Sequence, residues 1–221
     1  MKPNFLIAAA SSNSGKTTLT MGLLRALRDR GLSVQPYKCG PDYIDTMFHQ
    51  LASGRESVNL DLFMASAEHV RNLFVRHGEG ADVQIVEGVM GLFDGYDKWH
   101  GSSAEVAMLL AVPVVLVVNA KSVAYSVAPL IHGFKTFRPA LRLAGVIFNM
   151  VASQHHYNFL KEACEDAGVA CLGYMQRNAD LVIPGRHLGL TISEREDMER
   201  LIALAAREVE SHVELDKLLA L

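Results

Sequence analysis

Ala10-Ser11-Ser12-Asn13-Ser14-Gly15-Lys16-Thr17-Thr18 is the stretch that decides the fold. An apolar run, Phe5 to Ala10, leads into it, and a helical pattern from Leu19 to Leu27 follows. Strand, glycine-containing loop and helix in that order are the setting of a phosphate-binding loop. Successive backbone N–H groups of such a loop converge on the β-phosphate, and the helix N-terminus adds partial positive charge. Ser12, Asn13, Ser14, Gly15, Lys16, Thr17 and Thr18 are therefore the expected nucleotide-binding residues. Lys16 is expected to reach the β- and γ-phosphates, and the Thr17 hydroxyl to ligate Mg²⁺, so ATP and Mg²⁺ are the expected cofactors. Ala10, a small residue, stands where the G-x-x-x-x-G-K-[ST] pattern has its first glycine.

Working outward, apolar strand patterns alternate with helical ones. Strands are expected at Phe5–Ala10, Ser33–Tyr37, Val83–Glu87, Val114–Asn119, Gly145–Asn149 and Ala170–Tyr174. Helices are expected at Lys16–Arg30, Ala65–His77, Ser103–Leu110, Val123–Phe137, Gln154–Ala167 and Glu194–Val213, with Asp180–Ile192 irregular between the last two. Val114-Val115-Leu116-Val117-Val118 is apolar on both faces, as a central strand covered by helices on both sides must be. The fold class expected is α/β, of the P-loop NTPase type, with a mainly parallel sheet and helices on both faces. Gly31 and Gly168 read as helix C-caps. The 221 residues are read as one domain, 1–221.

Composition narrows the function classes. Half the residues are hydrophobic (50%) and 20% are charged, which is globular and not disordered. A formal net charge of −3, without a long basic run, argues against nucleic acid as a partner. The apolar run Val106 to Val118 is broken by Pro113 and falls short of the ~20 residues a bilayer span needs. Cys39, Cys164 and Cys171 match no zinc spacing, and free thiols point to a reducing cytoplasm. No signal peptide is visible before Phe5.

In open α/β sheets ligands bind beyond the carboxyl ends of the strands, and the remaining candidates fall at such ends. The second expected strand runs into Tyr37-Lys38-Cys39-Gly40-Pro41-Asp42-Tyr43-Ile44-Asp45. Lys38 is placed near the phosphates. Asp42 and Asp45 share one side if Tyr43 onward is helical, and either hold Mg²⁺ and orient a substrate or cap that helix. The third ends in Val86-Glu87-Gly88-Val89-Met90-Gly91-Leu92-Phe93-Asp94-Gly95, and Glu87 is expected to be the second Mg²⁺ anchor. Asn149, ending the fifth strand, either reads the adenine edge or makes a strand-to-loop turn.

These segments, together with Gly145-Val146-Ile147-Phe148-Asn149 and Arg186-His187-Leu188-Gly189-Leu190, resemble the ATP-dependent cobyrinic acid a,c-diamide synthases of cobalamin biosynthesis. The likeness covers essentially the whole chain. It implies an ATP-binding synthetase domain similar to dethiobiotin synthetase and the MinD-like P-loop proteins. It also implies amidation of the a and c acetates of a corrin through an acyl phosphate. Matched to the family's motifs, Lys16 and Thr17 bind phosphate and Mg²⁺, and Asp42 and Glu87 belong to the metal shell. Asp45 and Asp94 orient the substrate or take the ammonia proton, with Lys16 and Lys38 supplying positive field. The implied partners are a tetrapyrrole polycarboxylate, a second copy of the chain, and a C-terminal glutaminase domain that supplies ammonia. None of the three cysteines sits in a nucleophile-elbow context, and the last helix has no clear stop signal, so the sequence reads as part of a longer protein. The family often has an acid where Gly185 stands.

Alternatives stay open at this level. Nickel-sirohydrochlorin a,c-diamide synthases are very similar, and dethiobiotin synthetase shares carboxylate activation. A MinD/ParA-like ATPase switch is the rival of a different class, disfavoured because Ser11 stands where those proteins carry an early lysine. His155 with His156 reads as a surface pair, and Trp99 with His100 as a polar loop.

Overall fold

The structure, a computed structural model, describes residues 2–181, 183 and 192–221. Seven parallel strands form one sheet: β1 (Asn4–Ala9), β2 (Val34–Cys39), β3 (Val58–Leu60), β4 (Val83–Glu87), β5 (Val114–Asn119), β6 (Leu143–Val151) and β7 (Ala170–Gln176). Their spatial order is β3-β2-β4-β1-β5-β6-β7. The helices are α1 (Lys16–Asp29), α2 (Tyr43–Ser53), α3 (Ala67–Gly78), α4 (Ser103–Leu110), α5 (Val127–Thr136), α6 (Gln154–Asp166), α7 (Ile192–His212) and α8 (Leu215–Leu219). A short 3₁₀ turn covers Ala179–Leu181.

Strand alternation sorts the core into two layers. Leu6 and Ala8 of β1, with Val114, Leu116 and Val118 of β5, face a layer containing Val70 and Phe74 of α3, Val106 of α4, Ile131 of α5 and Leu160 of α6. Phe5, Ile7 and Ala9, with Val115 and Val117, face the other, built from Leu19 to Leu27 of α1, Phe48 of α2 and Ile202, Ala205 and Val209 of α7. Central strands are thus apolar on both faces, as the doubly covered parallel arrangement demands. The axial helices α1 and α7 approach closely at Gly22, where an added Cβ would lie 2.8 Å from the Ala205 carbonyl oxygen. Arg25 fastens the same pair, donating to Glu199 Oε2 at 2.9 Å.

Several expected boundaries shift. The fourth expected strand, β5, and the expected helix α4 keep their limits, and Gly31 and Gly168 follow the ends of α1 and α6 with positive φ. The sequence pass has no strand at 58–60 and no short helix at 215–219. Each is too short to show periodicity, and β3 exists because it pairs with Tyr37 to Cys39 of β2. Pro36 is tolerated inside β2 for a related reason: β3 pairs only from Tyr37 onward, leaving the proline's outer side without a ladder to break. Helix α5 begins at Val127, four residues later than Val123. The condition placed on Tyr43 is met, since α2 starts there and ends at Gly54 with φ 77°. Most of the expected irregular stretch, including Arg186 to Leu190 and Gly185, lies outside the described residues.

Candidate functional site

The loop between β1 and α1 turns on two left-handed residues, Asn13 at φ 60° and Gly15 at φ 94°. Gly15 is the N-cap of α1 and offers no side chain, and the first turn of α1 carries no acid. The N–H groups that open α1 are therefore not spent on a side-chain cap, which suits them to an anion. Ser14 turns inward instead, its hydroxyl donating to the Ser11 carbonyl at 2.9 Å. Asn149 straps the loop from β6: its amide donates to the Ser14 carbonyl at 2.9 Å, and its oxygen accepts from Met150 N–H at 2.8 Å. A Cβ on Gly15 would stand 1.9 Å from Asn149 Nδ2, so glycine is required where strap and loop meet.

Above the loop lies a cavity of about 410 Å³. Ser12, Asn13, Gly15, Lys16, Thr17, Thr18, Lys38, Asp42, Asp45, Glu87 and Asn149 all line it. Lys16 crosses to the loop after β4 and donates to the Met90 carbonyl at 2.6 Å. Thr17 donates to Glu87 Oε1 at 2.8 Å and approaches Asp45 Oδ2 at 3.3 Å. Lys38 donates to Asp45 Oδ2 at 2.6 Å, to Glu87 Oε1 at 2.9 Å and to the Gly88 carbonyl at 3.2 Å. Lys38, Asp45 and Glu87 are each at most 2% exposed.

Two carboxylates against one ammonium leave this buried cluster one negative charge in excess. Burial pushes the Glu87 carboxyl up, but Lys38 and His49 overrule it and hold the group well below its ordinary range. Burial, with the neighbouring Glu87 charge, pushes Asp45 up against the pull of Lys38. Burial alone would lower Lys38, yet Glu87 and Asp45 raise it above its ordinary value. Glu87 is thus the group that keeps its charge, with its Oε1 beside the Thr17 hydroxyl.

The expected residues do not all converge. Asp42 caps α2, its Oδ1 accepting from Ile44 and Asp45 N–H at 2.9 and 3.1 Å. It lines the cavity, but Asp45 and not Asp42 is the carboxylate in contact with Thr17. Asp94 is exposed in the loop after β4 and accepts from Gly91 N–H at 3.0 Å, away from the cavity-lining set. Lys38, expected beside the phosphates, lies in the cavity floor between the two acids.

One residue was missed. His49 of α2 is fully buried, and its Nε2 lies 2.6 Å from Glu87 Oε2. The signal was available: His49 is four residues after Asp45, so both project from one helix face, with Phe48 and Ala52 buried beside them.

Groups tested for a bound ligand fit unequally. The uncapped α1 terminus and the glycine-dependent loop suit a polyphosphate. Among the described residues no group of three or more His, Cys, Asp or Glu forms a metal cluster. The donors near Thr17 are oxygens in excess negative charge, which suits a Mg²⁺ ion that keeps phosphates and water among its ligands. Among the described residues no helix is long and apolar enough to cross a membrane.

Residues 5–192 match the family described as the CobQ/CobB/MinD/ParA nucleotide binding domain. The chain belongs to that family. Its members are nucleotide-binding domains, in keeping with the loop just described. The chain is 47% identical over 219 residues to the cobyrinate a,c-diamide synthase of Listeria innocua, covering 97% of this chain and 48% of that protein. It is 48% identical over 210 residues to the hydrogenobyrinate a,c-diamide synthase of Streptomyces coelicolor, covering 93% of this chain and 43% of that one. The archaeal cobyrinate a,c-diamide synthase of Archaeoglobus fulgidus is 48% identical, with 98% and 48% covered. The chain therefore spans about half the length of the curated relatives it matches. Chloroplast FtsY from Physcomitrella patens superposes with a TM-score of 0.58 at 15% identity, covering 91% of this chain and 65% of that one. The GDP complex of the signal recognition particle 54 kDa protein from Aeropyrum pernix gives 0.55 at 18%, covering 98% and 49%. These two show the fold alone, an α/β P-loop architecture.

Proposed function

We propose that this chain is the ATP-binding synthetase part of an a,c-diamide synthase, activating the a and c acetate carboxylates of cobyrinic or hydrogenobyrinic acid. The observation that carries the reading is the convergence of Thr17, Lys38, Asp45 and Glu87 beside the uncapped start of α1, in a chain 47% identical to a cobyrinate a,c-diamide synthase.

A carboxylate is a poor acylating agent because oxide is a poor leaving group. In the proposed reaction a substrate carboxylate oxygen attacks the γ-phosphorus of ATP, and the bond to the bridging oxygen of ADP breaks. Ammonia then attacks the acyl carbon, phosphate leaves, and one proton is lost to a base. Both partners of the first step are anions, so the site must supply positive field. Lys16, anchored on the Met90 carbonyl, is poised over the loop to give it. Bound Mg²⁺ would neutralise charge on the phosphates, with Thr17 and Glu87 as its protein ligands and Asp42 and Asp45 as the flanking acids. Lys38 keeps both buried acids ionic and aimed at Thr17. Asp94, at the exposed loop after β4, is assigned to the ammonia proton. Ammonia itself comes from a glutaminase domain in the remaining part of the longer protein or in a separate chain.

Isotope transfer tests this reading. With ATP, magnesium, ammonia and ¹⁸O-carboxylate cobyrinate, label is expected in inorganic phosphate at one oxygen per amide formed. Turnover without label in phosphate would remove the acyl-phosphate route.

A further inference from the structure

Glu87 has two carboxylate oxygens, and the proposed mechanism uses one. Oε1 faces the cavity with Thr17 and Lys38 at 2.8 and 2.9 Å. Oε2 points the other way, into the protein, where His49 Nε2 meets it at 2.6 Å with both side chains 0% exposed. Behind the ring, His49 Nδ1 lies 3.1 Å from the Ser57 hydroxyl, at the entry to β3. A buried, charge-paired carboxylate only accepts hydrogen bonds, so Nε2 carries the proton and donates. Nδ1 of the neutral ring then accepts from Ser57, which fixes the tautomer.

We infer that His49, held by Ser57, is a positioning residue that sets the rotation of the Glu87 carboxylate and so presents Oε1 to the cation accompanying the nucleotide. The inference rests on the nucleotide-and-Mg²⁺ reading of the cavity. Physically, a carboxylate at the end of β4 can spin about its terminal torsion, which is broad for glutamate. Spinning would carry the lone pairs that face Thr17 out of line. A short bond from a ring that cannot itself move, because α2 and Ser57 hold it, removes that freedom. Partners of ligating carboxylates act this way in metal sites generally, and their loss costs metal affinity even though they never touch the ion.

Side-chain length makes the idea testable. The amide of a glutamine at position 49 reaches about as far as histidine Nε2 and can still donate to Glu87. The amide of an asparagine reaches only about as far as Nδ1, so it can meet Ser57 but not Glu87. The whole chain is titrated calorimetrically with a non-hydrolysable ATP analogue, once in magnesium and once in EDTA. The readout is the ratio of the two dissociation constants. For His49→Asn the magnesium-dependent gain in affinity is expected to shrink at least about tenfold, with EDTA affinity nearly unchanged. His49→Gln is expected to recover most of that gain, and Ser57→Ala, the gentler change, to lose part of it. A purely structural histidine would alter both constants together and leave the ratio alone. An unchanged ratio in His49→Asn, or equal losses in Asn and Gln variants, overturns the inference. If His49→Asn does not fold, Ser57→Ala decides, and an unchanged ratio there is equally fatal. Wild-type protein that gains nothing from magnesium would overturn the reading of the cavity itself, a separate outcome from any of these.

Discussion

At the scale of single residues, charge and backbone conformation set the chemistry. Glu87→Gln would cancel the one negative charge in excess, leaving Lys38 and Asp45 as a neutral pair. The fold is expected to survive, because glutamine can still bond Thr17 and His49. Magnesium-dependent nucleotide affinity is expected to fall at least about tenfold, with amidation lost, as calorimetry and a phosphate-release assay would read. Gly15→Ala acts through geometry. It forces a residue with a Cβ to φ 94°, about 1–2 kcal/mol of strain, and sets that carbon 1.9 Å from Asn149 Nδ2. The strap or the loop must give, and nucleotide binding should be lost while the far-ultraviolet circular dichroism stays that of the wild type. The loop itself was legible from residues 10–18 because its requirements are local. The strapping role of Asn149 was not, since the two partners are 135 positions apart in the chain.

Among the elements, α2 matters most to the site, because it delivers Asp42, Asp45 and His49 together. Asp42 holds its first turn through two backbone N–H groups. Asp42→Ala is expected to cost about 1 kcal/mol of stability, seen as a lowered melting temperature. Asp42→Asn retains the cap, since asparagine is as good an N-cap, and is expected to melt with the wild type. The pair of variants separates capping from metal binding: a magnesium-specific loss of nucleotide affinity in Asp42→Asn, at unchanged melting temperature, would place Asp42 in the metal shell. The sequence offered both readings of the Asp42–Asp45 pair and had no means to choose. Three-residue spacing serves a cap and a ligand pair equally well. What distinguishes them is that Asp45 falls on the buried face of α2, towards Lys38 and Thr17, while Asp42 sits outside the helix at its cap. Strand β3 was hidden for a different reason. Three residues cannot show a period, and only pairing with β2 makes them a strand.

For the whole molecule, burial couples stability to pH on the alkaline side. Burial pushes the Cys39 thiol up to about 12 from an ordinary 9.0, against Lys38 and Ser103, and raises the Tyr37 phenol too. Lys38 is also raised, by its two acids. Every one of these groups holds its proton longer folded than unfolded. Their contribution is therefore complete below pH 9.0 and is lost as pH rises through and beyond it, first at Cys39. The loss should run at up to ~1.4 kcal/mol per pH unit for each group titrating only in the unfolded chain. Thermal melts should decline from about pH 9.0 upward. Cys39→Ala should delay the onset towards the ordinary values of Tyr37 and Lys38, 10.0 and 10.5. An unchanged onset in that variant would assign the decline to other groups.

The sequence by itself determined the class of fold and the place of the phosphate loop. Alternating apolar runs and helical patterns depend on neighbours within a few residues, and so does a glycine that must be left-handed before a helix. It also marked the strand ends at Lys38 and Glu87 as the site's edge, since the carboxyl end of a parallel sheet is where loops from distant strands meet. Only the tertiary structure decided which acids share a cation-seeking cluster, that Lys38 lies between them, and that His49 stands behind Glu87. Those facts depend on β2 lying beside β4 and on the rotation of α2 about its axis. Both are fixed by packing across the sheet, which no local pattern in the chain records.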